Sequence, residues 1–273
     1  MILVLGPCVA ESLSLCQEIA HKLKYIEERI NYNRDDKIKV FLKGSYSKNN
    51  RSAINSYVGP GLEKGLKILE QVKREFNIPV TSDIHECCEA KPAGEVLDLI
   101  QIPSLLARQS FLILAAARTG KAVNVKKGQM MSSFDMKHVK KKLEEGGCGD
   151  FYFTERGACF GRGELVNDFV DFVDMRKIGR TIFDGSHSTQ KRSPNSDTTL
   201  GRRDMVEVLL RCAVAAGCDG LFVETHPNPD KALSDASIAY PLDQLENMLN
   251  RVLMINDLTA KYVIQSDAKF ILS

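Results

Sequence analysis

Apolar residues along this chain come in short, mostly consecutive runs, each followed by a longer stretch with helical spacing. The runs at residues 2–6, 39–43, 79–83, 97–102, 122–126, 151–155, 181–184 and 220–224 read as strands buried on both faces. The segments at 12–28, 62–76, 105–119, 136–145, 165–178 and 202–216 carry apolar residues at i, i+3 and i+4, which puts them on one face of a helix. Alternation of strand and helix through eight strands predicts an α/β chain folded as a (β/α)8 TIM barrel, in preference to a doubly wound open sheet. A helix over 241–253 closes the barrel, and the tail at 262–273 has no assigned role. The third connection is the least marked, because Pro92 and Gly94 interrupt its helical pattern. No linker-like change of composition divides the chain, so residues 1–273 are expected to be one catalytic domain.

The eighth run shows where chemistry begins. Gly220-Leu221-Phe222-Val223 breaks at once into Glu224-Thr225-His226-Pro227, with Asp235 shortly after. In a barrel of this kind the C-terminal strand ends converge on one mouth. Those ends read Gly6-Pro7-Cys8, then Lys43 followed by Lys48-Asn49-Asn50-Arg51-Ser52, then Asp83, His85 and Glu86. Gln101 with Arg108 beyond it, Lys126-Lys127, Glu155-Arg156, Asp184 with His187, and Glu224 with His226 and Asp235 complete the ring. Charge is concentrated on one rim.

Two kinds of chemistry are implied. Lys43, Lys48, Arg51, Lys126 and Arg156 gather from several strands, and clustered cations repel unless anions bind among them. Two basic sets point to two anionic groups, with arginine suited to bidentate phosphate contact. The alternative is that each lysine is paired with Asp83, Glu155 or Glu224. Cys8, His187, Glu224 and Asp235 form a sulfur, nitrogen and oxygen set that suits a divalent metal with open positions. Taken alone, Cys8 reads as a buried thiol; beside three other ligand types on adjoining strand ends it reads as a ligand.

Composition removes some possibilities. Lys+Arg number 37 against 35 Asp+Glu, so no basic excess points to nucleic acid or an anionic membrane. No apolar stretch reaches membrane-spanning length and Met1 runs straight into a strand, so a soluble, cytoplasmic protein is expected. None of the eight cysteines forms a C-x-x-C pair, and Cys16, Cys212 and Cys218 are expected to be buried. Lys137, Lys140, Lys141 and Lys142 are expected to line a solvated helix face, and residues 157–163 a flexible loop.

The ordered motifs resemble one family along nearly the whole chain. They are Gly6-Pro7-Cys8 with Glu11-Ser12, Lys48-x-x-Arg51-Ser52, Gly59-Pro60-Gly61-Leu62, and Ser82-Asp83-Ile84-His85-Glu86. Further on come Gln101-Ile102-Pro103, Ala107-Arg108-Gln109, Asn124-Val125-Lys126-Lys127-Gly128-Gln129, Thr154-Glu155-Arg156-Gly157 and His226-Pro227-x-Pro229-Asp230-Lys231-Ala232. Together they resemble the 3-deoxy-D-manno-octulosonate 8-phosphate synthases, which join phosphoenolpyruvate to D-arabinose 5-phosphate in making a lipopolysaccharide precursor. A related synthase uses erythrose 4-phosphate and usually carries Pro-Arg-Thr where this chain has Asn50-Arg51-Ser52, so the five-carbon sugar phosphate is preferred.

The resemblance implies roles. The family's metal-dependent branch has cysteine at the position of Cys8, where the other branch has asparagine; the implied metal (Zn, Fe or Mn) is then shared by Cys8, His187, Glu224 and Asp235. Lys126 and Arg156 would hold the phosphate of phosphoenolpyruvate with Gln101 nearby, and Asn50, Arg51 and Ser52 the sugar phosphate. Asp83 would contact sugar hydroxyls, and Arg108 would reach a neighbouring subunit's site in the family's homotetramer. Lys43, Lys48, His187 and Asp235 are expected to act at the reacting atoms, and His226 to shape the loop that returns Asp235 to the metal. Departures from the family pattern fall at Ser110-Phe111, at 161–174, at Ser234-Asp235-Ala236 and in the loop at 189–203, and bear on subunit packing and loop closure. Two rival readings remain: a metal-dependent barrel hydrolase, which typically opens with His-x-His where this chain has Gly-Pro-Cys, and a non-catalytic phosphosugar-binding barrel.

Overall fold

The computed structural model describes residues 1–49, 55–159, 164–191 and 200–262. Eight parallel strands close on themselves: β1 (Ile2–Gly6), β2 (Lys39–Lys43), β3 (Val80–Asp83), β4 (Leu99–Ile102), β5 (Ala122–Lys126), β6 (Phe151–Glu155), β7 (Arg180–Asp184) and β8 (Gly220–His226). Closure is made by β1 against β8, with Ile2 opposite Gly220 and Gly6 opposite Glu224. Helices α1 (Leu13–Tyr32), α2 (Leu62–Phe76), α3 (Ala90–Val96), α4 (Ser110–Ala117), α5 (Ser133–Glu145), α6 (Phe169–Arg176), α7 (Val206–Ala215) and α8 (Leu245–Tyr262) follow the strands in turn. The chain is a (β/α)8 barrel.

Successive side chains on a strand point to opposite faces, so each strand contributes one set to the lumen and one to the helices. Leu3, Leu5, Val40, Leu42, Val80, Ile100, Val123, Val125, Phe153 and Phe183 pack outward with the helices in the main core. The alternate set forms a separate apolar layer across the lumen: Val4, Phe41, Leu99, Tyr152, Ile182 and Phe222. Two residues further up, the same face turns polar. Phe41 gives way to Lys43, Leu99 to Gln101, Tyr152 to Thr154, Ile182 to Asp184 and Phe222 to Glu224, all of them buried. The apolar layer therefore forms the floor of the mouth, and the period of two sets the polar residues on it.

Local chemistry fixes the ends of several helices. The Ser12 hydroxyl accepts the Leu15 N–H at the start of α1, and Ser132 with Asp135 forms a capping box at the start of α5. Pro92 is accommodated in α3 because it falls in the first turn, where its missing N–H costs no intrahelical bond. Gly94 lies against Thr119, where an added Cβ would meet the threonine Cβ at 3.0 Å. That close approach accounts for the broken helical pattern.

Some expectations are corrected. The helix expected over 165–178 starts only at Phe169, because Leu165–Val166 pairs antiparallel with Ala158–Cys159 instead. That pairing also gives structure to part of the expected loop at 157–163, of which 160–163 lie outside the described residues. Cys212 is exposed, since α7 buries Val206, Leu210, Ala213 and Val214 and turns position 212 outward; Cys16 and Cys218 are buried as expected. The lysines at 137, 140, 141 and 142 lie on the outer side of α5, whose buried residues are Ser133, Met136, Val139 and Leu143. Asn50, Arg51 and Ser52, part of the loop at 189–203, and the tail beyond 262 lie outside the described residues. Among the described residues, no helix is long and apolar enough to cross a membrane.

Candidate active site

Cys8 sits just past β1, fixed by two backbone bonds to the segment after β2: Ser45 N donates to Cys8 O and Ala10 N to Ser45 O. Ligand atoms of Cys8, Glu224 and Asp235 lie within 4.8 Å of one another. The His187 Nε2 is 3.4 Å from both a Glu224 oxygen and an Asp235 oxygen. His187 Nδ1 lies 2.8 Å from Asp184 Oδ2, and an ionised carboxylate only accepts, so Nδ1 carries a proton and Nε2 is turned to the cluster. Glu224 Oε2 is buried without a hydrogen-bond partner. A nitrogen, a sulfur and two carboxylates with a buried orphan oxygen and a carboxylate-oriented imidazole fit a divalent metal site. Asp235 reaches it from a left-handed backbone (φ 51), a conformation that aspartate tolerates better than most residues.

Burial, followed by the Asp235 and Glu224 carboxylates, pushes the Cys8 thiol above its ordinary range. A divalent cation reverses that logic by favouring the thiolate. Lys48 brings a positive charge to the same point, 2.8 Å from Cys8 Sγ and in contact with Asp235. Burial works against that charge, yet Cys8, Asp235 and Glu224 together hold the Lys48 ammonium above its usual range. Against the same burial penalty, Lys48 and His187 keep Asp235 well below the carboxylate range.

The remaining cations stand beside this cluster. Lys43 Nζ donates to Cys8 O at 2.6 Å and lies 3.4 Å from Glu224 and 3.8 Å from Asp83. Lys126 Nζ pairs with Asp184 at 2.7 Å and stands 3.6 Å above the centre of the Phe222 ring. An aromatic face attracts a cation through its quadrupole, so the floor residue Phe222 helps to hold Lys126 in place. Arg156 is buried and donates to Gln190 Oε1 at 2.5 Å. Gln101 is buried and donates to Asp83 at 2.7 Å. Lys127 faces the other way, to Glu155, Asp171 and the Met131 carbonyl, and so ties β5 to β6 and α6.

The structure thus brings together Cys8, Lys43, Lys48, Asp83, Gln101, Lys126, His187, Glu224 and Asp235. Arg108 stands apart, exposed before α4. The alternative pairing of the lysines holds in part: Lys43 meets Asp83 and Glu224, while Lys126 meets Asp184, which had been given no partner in the sequence. His226 does shape its loop, its Nδ1 accepting the Asn228 N–H at 2.9 Å. Sequence reasoning missed Asp184 as orienter of His187, Phe222 as floor, and Ser234, whose Oγ lies 3.2 Å from Cys8 Sγ. Asp184 and Phe222 could have been found from their shared parity with Glu224 and Lys126 on adjoining strands.

Comparison with known proteins places the chain among relatives of one name along nearly its whole length. A 2-dehydro-3-deoxyphosphooctonate aldolase of Desulfotalea psychrophila is 42% identical over 256 residues, covering 93% of this chain and 89% of the relative. The protein of that name from Campylobacter jejuni subsp. doylei is 43% identical over 269 residues, covering 94% and 98%. Its counterpart in Cyanothece sp. is 43% identical over 254 residues, covering 93% and 91%. The family model described as the DAHP synthetase I family matches residues 1–259. On that match, which takes in all eight barrel strands, the chain belongs to the DAHP synthetase I family.

Proposed function

We propose that the chain condenses phosphoenolpyruvate with D-arabinose 5-phosphate and water, giving 3-deoxy-D-manno-octulosonate 8-phosphate and inorganic phosphate. The observation that carries this reading is end-to-end similarity to relatives named for the same eight-carbon product, with a cation set and a metal-type donor set sharing one barrel mouth. The methylene carbon of phosphoenolpyruvate bonds to the aldehyde carbon, water adds to the central carbon, and phosphate leaves by carbon–oxygen cleavage. Lys126 and Arg156 receive the phosphate of phosphoenolpyruvate, and Gln101 donates to its carboxylate. Asp83 accepts from sugar hydroxyls, with Asn50, Arg51 and Ser52 holding the sugar phosphate. Lys43 and Lys48 offset negative charge that builds up during bond formation, where fixed charges need no reorganisation. His187, fixed by Asp184 through Nδ1, presents Nε2 to the cluster as a ligand atom.

Cys8, His187, Glu224 and Asp235 would hold a divalent metal (Zn, Fe or Mn). When bound, it would supply Lewis-acid polarisation or a more acidic water. Purified protein is expected to release phosphate when given both substrates with added Mn2+ or Zn2+, and to stop when a chelator removes the metal. No release sinks the synthase reading, faster turnover with erythrose 4-phosphate shifts it to the related synthase, and full activity in excess chelator removes the metal from it.

The assembly is proposed to be a homotetramer. Leu105, Phe111, Met130, Phe134 and Val170 are exposed on α4, α5, α6 and the connections before α4 and α5, with Phe111 83% and Met130 85% accessible. So many large apolar side chains on neighbouring helices support a face that another copy would cover. Light scattering is expected to give four times the chain mass, and Phe111→Asp to lower it; a monomeric wild type overturns the assembly. The protein is read as one cytoplasmic catalytic domain, working in lipopolysaccharide precursor synthesis.

A further inference from the structure

Four buried polar side chains cross the mouth in a line that the site residues alone do not explain. Asp83, Gln101 and Asn124 are register partners on β3, β4 and β5, and Asn124 is opposite Tyr152, two residues before Thr154 on β6. Thr154 Oγ1 donates to Asn124 Oδ1 at 2.7 Å, Asn124 Nδ2 donates to Gln101 Oε1 at 2.9 Å, and Gln101 Nε2 donates to Asp83 Oδ1 at 2.7 Å. None of the four is more than 8% exposed, so water does not substitute for any of these bonds.

The line has a forced direction. Asp83 is ionised, taking a hydrogen bond from Ser45 Oγ at 2.5 Å with Lys43 3.8 Å away, and so only accepts. Gln101 must turn its nitrogen to Asp83, which leaves its carbonyl for Asn124. Asn124 must then donate, and its own carbonyl needs the Thr154 hydroxyl. Flipping either amide would set oxygen against oxygen and nitrogen against nitrogen in a buried place, where unmatched polar groups are costly.

We infer that Asn124 and Thr154 are positioning residues that lock the Gln101 amide, so that its remaining N–H, and never its carbonyl, faces an anionic group in the mouth. Resting on the synthase reading, that group is the carboxylate of phosphoenolpyruvate. Neither Asn124 nor Thr154 touches the substrate; both act through Gln101.

Steady-state kinetics with each substrate varied in turn tests this. Thr154→Val removes the last donor at nearly constant shape and should raise KM for phosphoenolpyruvate about fivefold, the size of one neutral buried hydrogen bond. Thr154→Ser restores the donor and should restore KM. Asn124→Asp cannot donate to Gln101 and should raise the same KM by more than about tenfold. KM for arabinose 5-phosphate should stay within about twofold in each variant. In a Gln101→Ala background both substitutions should lose their effect, because there is no amide left to orient. Additive losses with and without Gln101, or equal changes in both KM values, would overturn the inference. If wild-type protein releases no phosphate, the synthase reading fails separately, and calorimetric binding of phosphoenolpyruvate alone carries the same cycle. Coupled losses there uphold the positioning role; additive losses, or no binding by wild type, remove it.

Discussion

Lys126→Met is expected to lower kcat/KM for phosphoenolpyruvate about 10²–10³-fold, the usual effect of removing one preorganised electrostatic donor. The same substitution should cost about 3–5 kcal/mol of folding stability at neutral pH, because it strips a buried carboxylate of a partner. Lys126 Nζ lies 2.7 Å from Asp184 Oδ2 and 3.6 Å from the Phe222 ring centre, and methionine keeps the length of the side chain without its charge. Burial works to raise the Asp184 carboxyl, yet His187 and Lys126 hold it below the carboxylate range. Such a depressed group stabilises the fold above the unfolded carboxyl pKa of about 3.9, and that contribution is lost as pH falls. The stability gap between wild type and Lys126→Met should therefore be widest near neutrality and narrow below about pH 4. Denaturant unfolding across pH with parallel phosphate-release assays reads both effects. Activity within about threefold of wild type would remove Lys126 from the substrate site.

Gly6→Ala should be as damaging without touching a single charge. Gly6 has φ 152, and an added Cβ would lie 2.1 Å from the Lys43 carbonyl oxygen and 2.9 Å from the Lys43 nitrogen. Both neighbours are backbone of the adjoining strand, so neither can swing away as a flexible side chain would. Strain and overpacking together should cost about 2–4 kcal/mol. The displacement spreads to function, because Gly6 is opposite Glu224 across the closing pair and two residues from Cys8, while Lys43 donates to Cys8 O at 2.6 Å. Loss of bound metal and of activity should accompany the lower unfolding midpoint. Gly61→Ala is the control: its φ is 87, but no atom lies within 4 Å of the added Cβ, so only the conformational penalty remains. Equal midpoints for the two variants would show that the β1–β2 contact is not what requires glycine at position 6.

Much of this architecture was legible in the chain because strand geometry is local. Side chains two apart share a face, so Phe41 with Lys43, Leu99 with Gln101, Ile182 with Asp184 and Phe222 with Glu224 declare an apolar floor under a polar mouth. The same parity separates Lys126, which faces the lumen, from Lys127, which faces Glu155 and Asp171. Helix detail was less legible. The apolar pattern at 165–178 suits both a helix and the short Leu165–Val166 strand, and pairing with Ala158–Cys159 decides between them.

What the chain alone determined was the alternation of strand and helix, the rank of residues at each strand end, and hence the kinds of group that meet at the mouth. Only the tertiary structure decided which of those groups touch. Lys48 meets Cys8 and Asp235, His187 is turned by Asp184, and Thr154, Asn124 and Gln101 form a directed line to Asp83. Contacts of this kind join residues far apart in the chain. They depend on the register between strands and on where the barrel closes, and both are set by packing of the whole sheet and its helices.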